Sequence, residues 1–166
     1  MNNLYAQLRV RCVHSCISTD DILPARYKHS FTAPLDLAPH VFENFLPGFA
    51  ATLRPGDILL ADDTFGIGSS REQAVSALLA AGVAGVLAPS FGRIFFRNAW
   101  NLGLLAIEYD ELPLEEGELI NIDLEAGVIT GRLGQWTFNK PPPEILAMIA
   151  AGGLLPWLRQ QLEQNG

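Results

Sequence analysis

The middle third of the chain alternates between apolar runs of strand length and helical stretches, and no other feature of the sequence constrains the fold as strongly. The segments between residues 57 and 109 read, in order, DILLAD, EQAVSALLAAG, VAGVLAPS, RIFFRNAWNLG and LLAIEY. Continuous apolar strands that alternate with helices of about ten residues are typical of parallel strands buried on both faces and joined by right-handed crossovers. The pattern therefore predicts an α/β fold with a parallel βαβαβ core.

The segment before this core begins with a strand. Residues 6–13 alternate apolar and polar side chains, as a strand does. The run 14–29 is rich in Ser, Thr and Asp and favours a turn-rich loop. Residues 35–46 predict a short helix with Pro39 near its first turn and Gly48 at its end.

The segment after Pro113 changes character, because its apolar runs become short and alternating. Three such runs predict an antiparallel addition of strands, and two helical stretches follow them. We find no internal repeat, low-complexity tract or long linker. Residues 1–166 are therefore predicted to form one domain, for which 49 % hydrophobic residues supply a sizeable core.

The charge balance excludes several classes of partner. The chain has 18 acidic and 11 basic residues, a net charge of -7. Nucleic-acid binding depends on clustered Lys and Arg, so we expect no nucleic-acid partner. No apolar run reaches membrane-spanning length and no secretory leader is recognisable, so we expect no membrane partner. We expect a cytoplasmic location, with an organelle reached by a signal absent from this sequence as the alternative. An anionic ligand would need a local positive pocket.

The cysteine and histidine residues give no metal-binding pattern. Cys12 and Cys16 are too few for an iron-sulfur cluster, and their spacing is not that of a CxxC pair. The three histidines, His14, His29 and His40, are scattered without ligand spacing. We therefore expect no metal bound by this chain alone.

The strongest candidate for chemistry is the bend FGIGSSREQA at 65–74, which directly follows an apolar strand. In open α/β sheets, ligands bind where a parallel strand ends and a helix begins. Glycines allow close approach of the backbone, the first N–H groups of a helix attract carboxylate or phosphate, and the fork of Arg71 suits a carboxylate. A phosphate loop is excluded because Ser69 stands where lysine is needed, and a dinucleotide fingerprint because Arg71 stands where glycine is needed.

A purely structural alternative exists for this bend. Ser69 and Glu72 have the spacing of a helix capping box, and Ser70 with Gln73 offers a second register. Capping accounts for one serine and one acidic residue. It does not account for a second serine, an arginine and two glycines together, so we interpret the bend as a ligand site.

Two motifs in this chain resemble the signatures of one known family. FGIGSSREQA followed by GVLAPSFGRIFFRNAWNLGLLAI is similar to the swivel domain of the aconitase superfamily, and within it to the family of separate small subunits of 3-isopropylmalate dehydratase. The loop ISTDDILPARY at 17–27 resembles the second signature of that family, in the same order. The resemblance covers residues 5 to 110 well. It implies a swivelling β/β/α domain, in which layers of sheet carry helices on one side.

The resemblance also implies a reaction and a partner. Enzymes of this family move a hydroxyl group between neighbouring carbons of a small di- or tricarboxylate by dehydration and rehydration. A [4Fe-4S] iron-sulfur cluster on a large subunit polarises the departing hydroxyl, a usual role of metals. The resemblance therefore implies that this chain binds no cofactor itself and shares its active site with a cluster-bearing large subunit.

The roles of individual residues at the bend are likewise implied by the resemblance. Ser69 would be the catalytic base and act as an alkoxide, stabilised by helix N–H donors and a nearby cation. Ser70 and Arg71, with the backbone at Gly68, would bind a substrate carboxylate. Glu72 would be a capping partner, and not an acid.

In the loop, the resemblance assigns a catalytic role to Asp20, which would orient a basic group; an Asx-turn is the structural alternative. Arg26 would be a second cation for the substrate, or a surface arginine, and Thr19 would join the substrate-binding group mainly as a loop former. The segment after Tyr27 would contact the substrate side chain. It departs from the family patterns and offers Phe31, Ala33 and Leu35 as an apolar wall.

Three functions are consistent with these motifs. The first is the small subunit of an isopropylmalate hydro-lyase in leucine biosynthesis. The second is the small subunit of a sister enzyme that acts on homoaconitate, a methylmalate (citraconate hydration) or a related dicarboxylate. The third is a non-enzymatic module that binds a small carboxylate. Only the first two require a large subunit.

Overall fold

A computed structural model of the chain describes residues 4–27, 29–30, 32–69 and 71–166. A seven-stranded sheet lies at its centre in the order β6-β5-β3-β1-β7-β8-β9, and a small second sheet pairs β2 with β4. The strands are β1 (Leu4–Val13), β2 (Ile17–Ser18), β3 (Asp57–Ala61), β4 (Phe65–Ile67), β5 (Val83–Ala88), β6 (Leu105–Glu108), β7 (Leu119–Asp123), β8 (Val128–Gly131) and β9 (Gly134–Thr137).

Six α-helices and three 3-10 turns of the described residues surround these sheets. The helices are α1 (Thr19–Ile22), α2 (Pro34–Leu37), α3 (Glu72–Ala80), α4 (Arg93–Leu102), α5 (Pro143–Ala150) and α6 (Leu154–Gln164). The 3-10 turns are Ala25–Tyr27, Ala38–His40 and Ala50–Thr52. Helix α4 ends at a left-handed glycine, Gly103, whose φ is +84°.

The large sheet has a parallel half and an antiparallel half. Strands β1, β3, β5 and β6 are parallel, so their carboxyl ends lie at one edge. Helix α3 connects β4 to β5, and α4 connects β5 to β6. Strand β1 also pairs with β7, and β7, β8 and β9 form an antiparallel meander. The predicted parallel core and antiparallel addition are both confirmed.

Each face of the large sheet is covered by its own apolar core. Neighbouring residues of β3 belong to different cores, because side chains alternate across a strand: Leu59 packs in one and Ile58 in the other, and both are fully buried. The first core includes residues of α3 and α4, for example Val75, Leu78 and Phe95, and the second includes Leu146 and Ile149 of α5. Burial on both faces explains why these strands are apolar throughout.

The segment 14–46 differs from its prediction in two places. The loop predicted over 14–29 contains a strand, a helical turn and a 3-10 turn. The helix predicted over 35–46 is wrong beyond its first turn, since α2 ends at Leu37 and a 3-10 turn follows. Phe42 has a φ of +56°, which a right-handed helix does not accommodate. Its N–H donates to the Ile22 carbonyl at 2.8 Å, and its ring is fully buried in the core.

A charged cluster closes the amino edge of the parallel strands, opposite the bend. Asp57 is 1 % exposed and accepts hydrogen bonds from Arg9 Nε at 2.7 Å and from Arg11 Nη1 at 3.4 Å. Burial raises the pKa of Asp57, but the hydrogen bonds from Arg9 and from the Arg54 N–H, together with the two guanidinium charges, outweigh it and leave the pKa below its usual value. This pairing is what permits a carboxylate in the core.

Candidate active site at the start of α3

The predicted site residues lie beyond the carboxyl end of β3, where the chain forms β4 and then bends into α3. Strand β4 leaves the large sheet and pairs with β2, which brings the loop 17–27 alongside the bend. Gly66 and Gly68 have φ values of +81° and +100°, a conformation that favours glycine. The glycines at these two positions are therefore required by the path of the backbone.

The start of α4 packs directly against this bend. A Cβ atom on Gly66 would lie 2.3 Å from Cγ of Phe95, and one on Gly92 would lie 2.2 Å from the Gly66 carbonyl oxygen. The Gly92 N–H donates to the Phe65 carbonyl at 2.9 Å. The first turn of α4 thus fixes the position of β4, and with it the start of the bend.

The Ser69 side chain is exposed and lies beside helix α1. Its Oγ is 3.5 Å from Oγ1 of Thr19, a side chain that is only 2 % exposed. Thr19 was predicted to be mainly a loop former; it is instead the first residue of α1 and is buried in contact with the bend. The Thr19 Oγ1 atom also lies 3.4 Å from where a Cβ on Gly68 would be. The structure therefore brings Thr19, Gly68 and Ser69 together.

The Arg71 guanidinium is held between two groups of the loop 17–27. One Nη atom forms an ion pair with Asp20, and the other donates to the Leu23 carbonyl at 3.2 Å. The Arg71 side chain is 11 % exposed, whereas the Asp20 side chain is 62 % exposed. A fixed cation thus lies two residues from Ser69, at the start of α3. Asp20 contacts a basic group as predicted, and its catalytic role stays a prediction.

The helix caps differ from those that the sequence suggested. Helix α3 begins at Glu72 with the extended residue Arg71 as its N-cap, so the capping box predicted for Ser69 and Glu72 is wrong. Ser69 lies before the cap, and Glu72 is the first helical residue instead of the third. Ser70, and with it the second capping register, lies outside the described residues.

A capping box does exist in the loop, at the start of α1. Ser18 Oγ accepts from the Asp21 N–H at 3.1 Å, and the Asp21 carboxylate accepts from the Ser18 N–H at 2.7 Å. The spacing of serine and aspartate carries this signal, which the sequence reasoning missed. The cap fixes the first turn of α1, from which Thr19 and Asp20 project.

The remaining loop candidates do not contact this group in the described residues. Arg26 Nη2 donates to Glu43 at 2.6 Å and to Asn44 at 3.3 Å, and the Arg26 side chain is half-exposed. Of the predicted apolar wall, Leu35 is 75 % exposed and Ala33 is the N-cap of α2, whereas Phe31 lies outside the described residues. Their roles in substrate binding stay predictions.

Comparison with known proteins places these features in a family. The model of the aconitase C-terminal domain matches residues 49–112, which include the bend. The small subunit of 3-isopropylmalate dehydratase from Nautilia profundicola is 48 % identical over 154 residues, 90 % of this chain and 91 % of the relative. The corresponding subunit from Aliarcobacter butzleri is 45 % identical over 151 residues, with 89 % and 90 % covered. The chain belongs to the family of 3-isopropylmalate dehydratase small subunits.

A homoaconitase small subunit is also similar to this chain, and the fold agrees with a solved structure. The homoaconitase small subunit of Thermus thermophilus is 40 % identical over 146 residues, 87 % of this chain and 90 % of the relative. The crystal structure of 3-isopropylmalate dehydratase from Methanocaldococcus jannaschii superposes with a TM-score of 0.88 at 32 % identity, covering 98 % of this chain and 99 % of that one. The predicted aconitase-type fold is confirmed. Members of the small-subunit family are subunits of a lyase, and the name "small subunit" implies a large-subunit partner.

Two adjoining cavities, which were not predicted from the sequence, lie at the carboxyl edge of the parallel strands of the large sheet. They measure about 420 and 550 Å³ and share Tyr109, Asp110 and Glu111. The smaller one is also lined by Asp62, whose pKa is lowered, chiefly by its hydrogen bond with His14 at 2.9 Å. Carboxylates in both linings repel an anionic ligand. The bend differs from both cavities in having a cation, Arg71, which is paired with Asp20.

No metal-binding cluster of His, Cys, Asp or Glu occurs among residues 4–27, 29–30, 32–69 and 71–166. Cys12 is half-buried, and burial raises the pKa of its thiol, which disfavours a thiolate ligand. Cys16 is exposed. Of the helices in the described part of the chain, none combines the length and apolar character that crossing a bilayer requires.

Proposed function

We propose that this chain is the small subunit of a two-chain hydro-lyase that interconverts 2-isopropylmalate and 3-isopropylmalate in leucine biosynthesis, in the cytoplasm. The observation that carries the proposal is the exposed Ser69 hydroxyl, which lies beside buried Thr19 and near an Arg71 guanidinium fixed by Asp20. Relatives that are 45–48 % identical and bear this enzyme's name support it. The chain is active only with its large subunit.

The chemistry assigned to this chain is proton transfer and carboxylate binding. Ser69 removes a proton from the carbon next to a carboxylate, and the electron pair of that C–H bond forms a double bond as hydroxide leaves the neighbouring carbon. Hydroxide then adds to the carbon that lost the proton, and Ser69 returns its proton to the carbon that lost the hydroxyl. Negative charge on the serine is stabilised by the N-terminal end of α3 and by the Arg71 guanidinium.

The loop residues position these groups. Thr19 Oγ1 lies close enough to Ser69 Oγ to donate a hydrogen bond when the serine is an alkoxide, and its burial holds it there. Asp20 and the Leu23 carbonyl orient the Arg71 fork toward a substrate carboxylate. Gly68, and by the resemblance Ser70, would bind the same carboxylate; Arg26 could join them only by exchanging its contacts with Glu43 and Asn44 for the substrate.

The leaving hydroxide needs an electrophile that this chain's residues do not provide. The described residues offer no set of three thiolates, so an iron-sulfur cluster does not fit on this chain. The proposed cluster belongs to the large subunit and would supply a Lewis acid for the hydroxyl. The site is therefore shared between two chains.

The test combines the purified chain with a purified cluster-bearing large subunit and measures hydratase activity with both isopropylmalates. Ser69→Ala should lower kcat by about 10²- to 10⁴-fold, the usual contribution of a catalytic base, and leave subunit binding unchanged. Ser76→Ala, on helix α3 after the bend, is the matched control and should retain activity. Full activity of the Ser69→Ala enzyme would refute the proposal.

Homoaconitase is the second candidate, because a named homoaconitase small subunit is 40 % identical to this chain. A screen of the complex against homoaconitate, methylmalates and both isopropylmalates decides between these sister reactions. Binding of a carboxylate without any turnover in the reconstituted complex would instead indicate a non-enzymatic binding module.

A further inference from the structure

Two large apolar side chains are exposed beside the candidate active site. Ile67 is 39 % exposed and Ile94 is 45 % exposed. Ile67 ends β4 and precedes Ser69 by two residues, whereas Ile94 lies in the first turn of α4. The packing of Gly92 on the backbone of Gly66 and Ile67 brings this turn against β4. Both isoleucines therefore lie on the surface that adjoins the site.

Two arginines on α4 give the same surface a positive charge. Arg93 and Arg97 are exposed and one helical turn apart, which places them on one face of the helix, opposite buried Phe95 and Ala99. Neither guanidinium has an ion-pair partner among the described residues, although the chain carries 18 acidic groups. This local positive charge contrasts with the net charge of -7.

We propose that these four residues, Ile67, Arg93, Ile94 and Arg97, form the docking patch for the large subunit. The inference rests on the proposed function, because a site shared by two chains requires the partner to lie within reach of Ser69. The patch is continuous with that site. Exposed isoleucines next to arginines are compatible with a subunit interface, because the buried core of such an interface is more apolar than the rest of the surface and Arg is enriched there.

The chemistry of the patch defines what the partner presents. Ile67 and Ile94 require an apolar surface, and Arg93 and Arg97 require carboxylates that pair with them on docking. A second copy of this chain is the competing occupant, since it also carries exposed acidic residues. The continuity of the patch with Ser69 favours the large subunit, because a second copy there would cover the site and supply no electrophile.

The experiment titrates the purified large subunit, with its cluster intact, into the full small-subunit chain under anaerobic conditions. Reversal of one charge, Arg97→Glu, should raise the dissociation constant by about tenfold or more. The difference in affinity between this variant and wild type should be smaller at high salt. Arg159→Glu is the matched control, because Arg159 is exposed on α6 and also has no ion pair in the described residues. It should bind within about twofold of wild type.

Three further measurements separate docking from folding and from catalysis. Thermal unfolding of Arg97→Glu should match that of wild type, because the side chain is exposed. Arg97→Lys, which keeps the charge, should retain most of the affinity. With saturating large subunit, the Arg97→Glu enzyme should regain wild-type kcat, whereas Ser69→Ala should bind normally and stay inactive.

Each opposite outcome overturns a different statement. If wild type binds the large subunit and is active while Arg97→Glu binds equally well, the docking patch is wrong and the proposed function stands. If Arg97→Glu abolishes only self-association, measured by light scattering, the patch joins copies of this chain and the proposal fails. If wild type neither binds the large subunit nor turns over substrate with it, both the function and the patch are wrong.

Discussion

Replacement of Gly66 by alanine tests whether contact with α4 dictates the bend. The backbone at Gly66 has a φ of +81°, which costs an alanine about 1–2 kcal/mol. Its Cβ would also lie 2.3 Å from Cγ of Phe95, and relieving such an overlap in a packed core costs about 1–3 kcal/mol. The two contributions lower the free energy of unfolding by roughly 2–5 kcal/mol in total.

Gly117 provides a matched control, because its φ is also +81° and no atom lies within 4 Å of a Cβ placed there. Gly117→Ala should therefore show only the backbone cost of about 1–2 kcal/mol. Urea denaturation at 25 °C measures the free energy of unfolding of both variants. In thermal unfolding, each kcal/mol lost should lower Tm by about 2–4 °C in a chain of this size. Equal losses for the two variants would show that the Phe95 contact does not constrain the bend, and the packing argument would be refuted.

Three other variants test the site and the amino edge of the sheet. Thr19→Val should lower kcat about tenfold with little change in KM, because a hydrogen bond to the Ser69 alkoxide is lost. Steady-state kinetics of the complex measure both constants, and an unchanged kcat would contradict this role of Thr19. Asp20→Asn should raise KM by about threefold because Arg71 is held less firmly, and an unchanged KM would mean that the ion pair does not position it. The lowered pKa of Asp57 stabilises the fold above about pH 4, and this stability is lost as the pH falls through the folded-state pKa. Urea denaturation from pH 6 to pH 3 should thus show a steeper loss for wild type than for Asp57→Asn, and parallel curves would refute this.

The α/β core was predictable from sequence because its signals are local. Apolar runs such as DILLA and VAGVLA are continuous since both faces of the sheet are covered, and the helices between them have their own period. The antiparallel pairing of the strands after Pro113 also followed from short alternating runs. Each of these signals lies within a window of about ten residues.

The errors have causes that are not local. The predicted helix over 35–46 stops because Phe42 adopts a left-handed conformation in order to bury its ring and reach the Ile22 carbonyl. The cap of α3 was misassigned because the extended backbone of Arg71 depends on its contacts with the loop 17–27. Neither conformation is encoded in neighbouring residues alone.

Only part of the candidate site could be predicted from the sequence. Physical reasoning on the bend pointed to an anion site near Ser69 and Arg71, whereas Thr19 and Asp20 entered through the resemblance alone. Those residues lie about 50 positions away in sequence and meet the bend only because β2 pairs with β4. Spacing along the chain carries no information about such a contact.

The position of β1 has a consequence for biosynthesis. It is the first strand of the chain and yet the central one of the seven, flanked by β3 on one side and by β7 on the other. Its second edge stays uncovered until residues 119–123 have left the ribosome, and an open strand edge invites pairing with other chains. The nascent polypeptide therefore carries an open strand edge at its future sheet centre until most of its length has been translated.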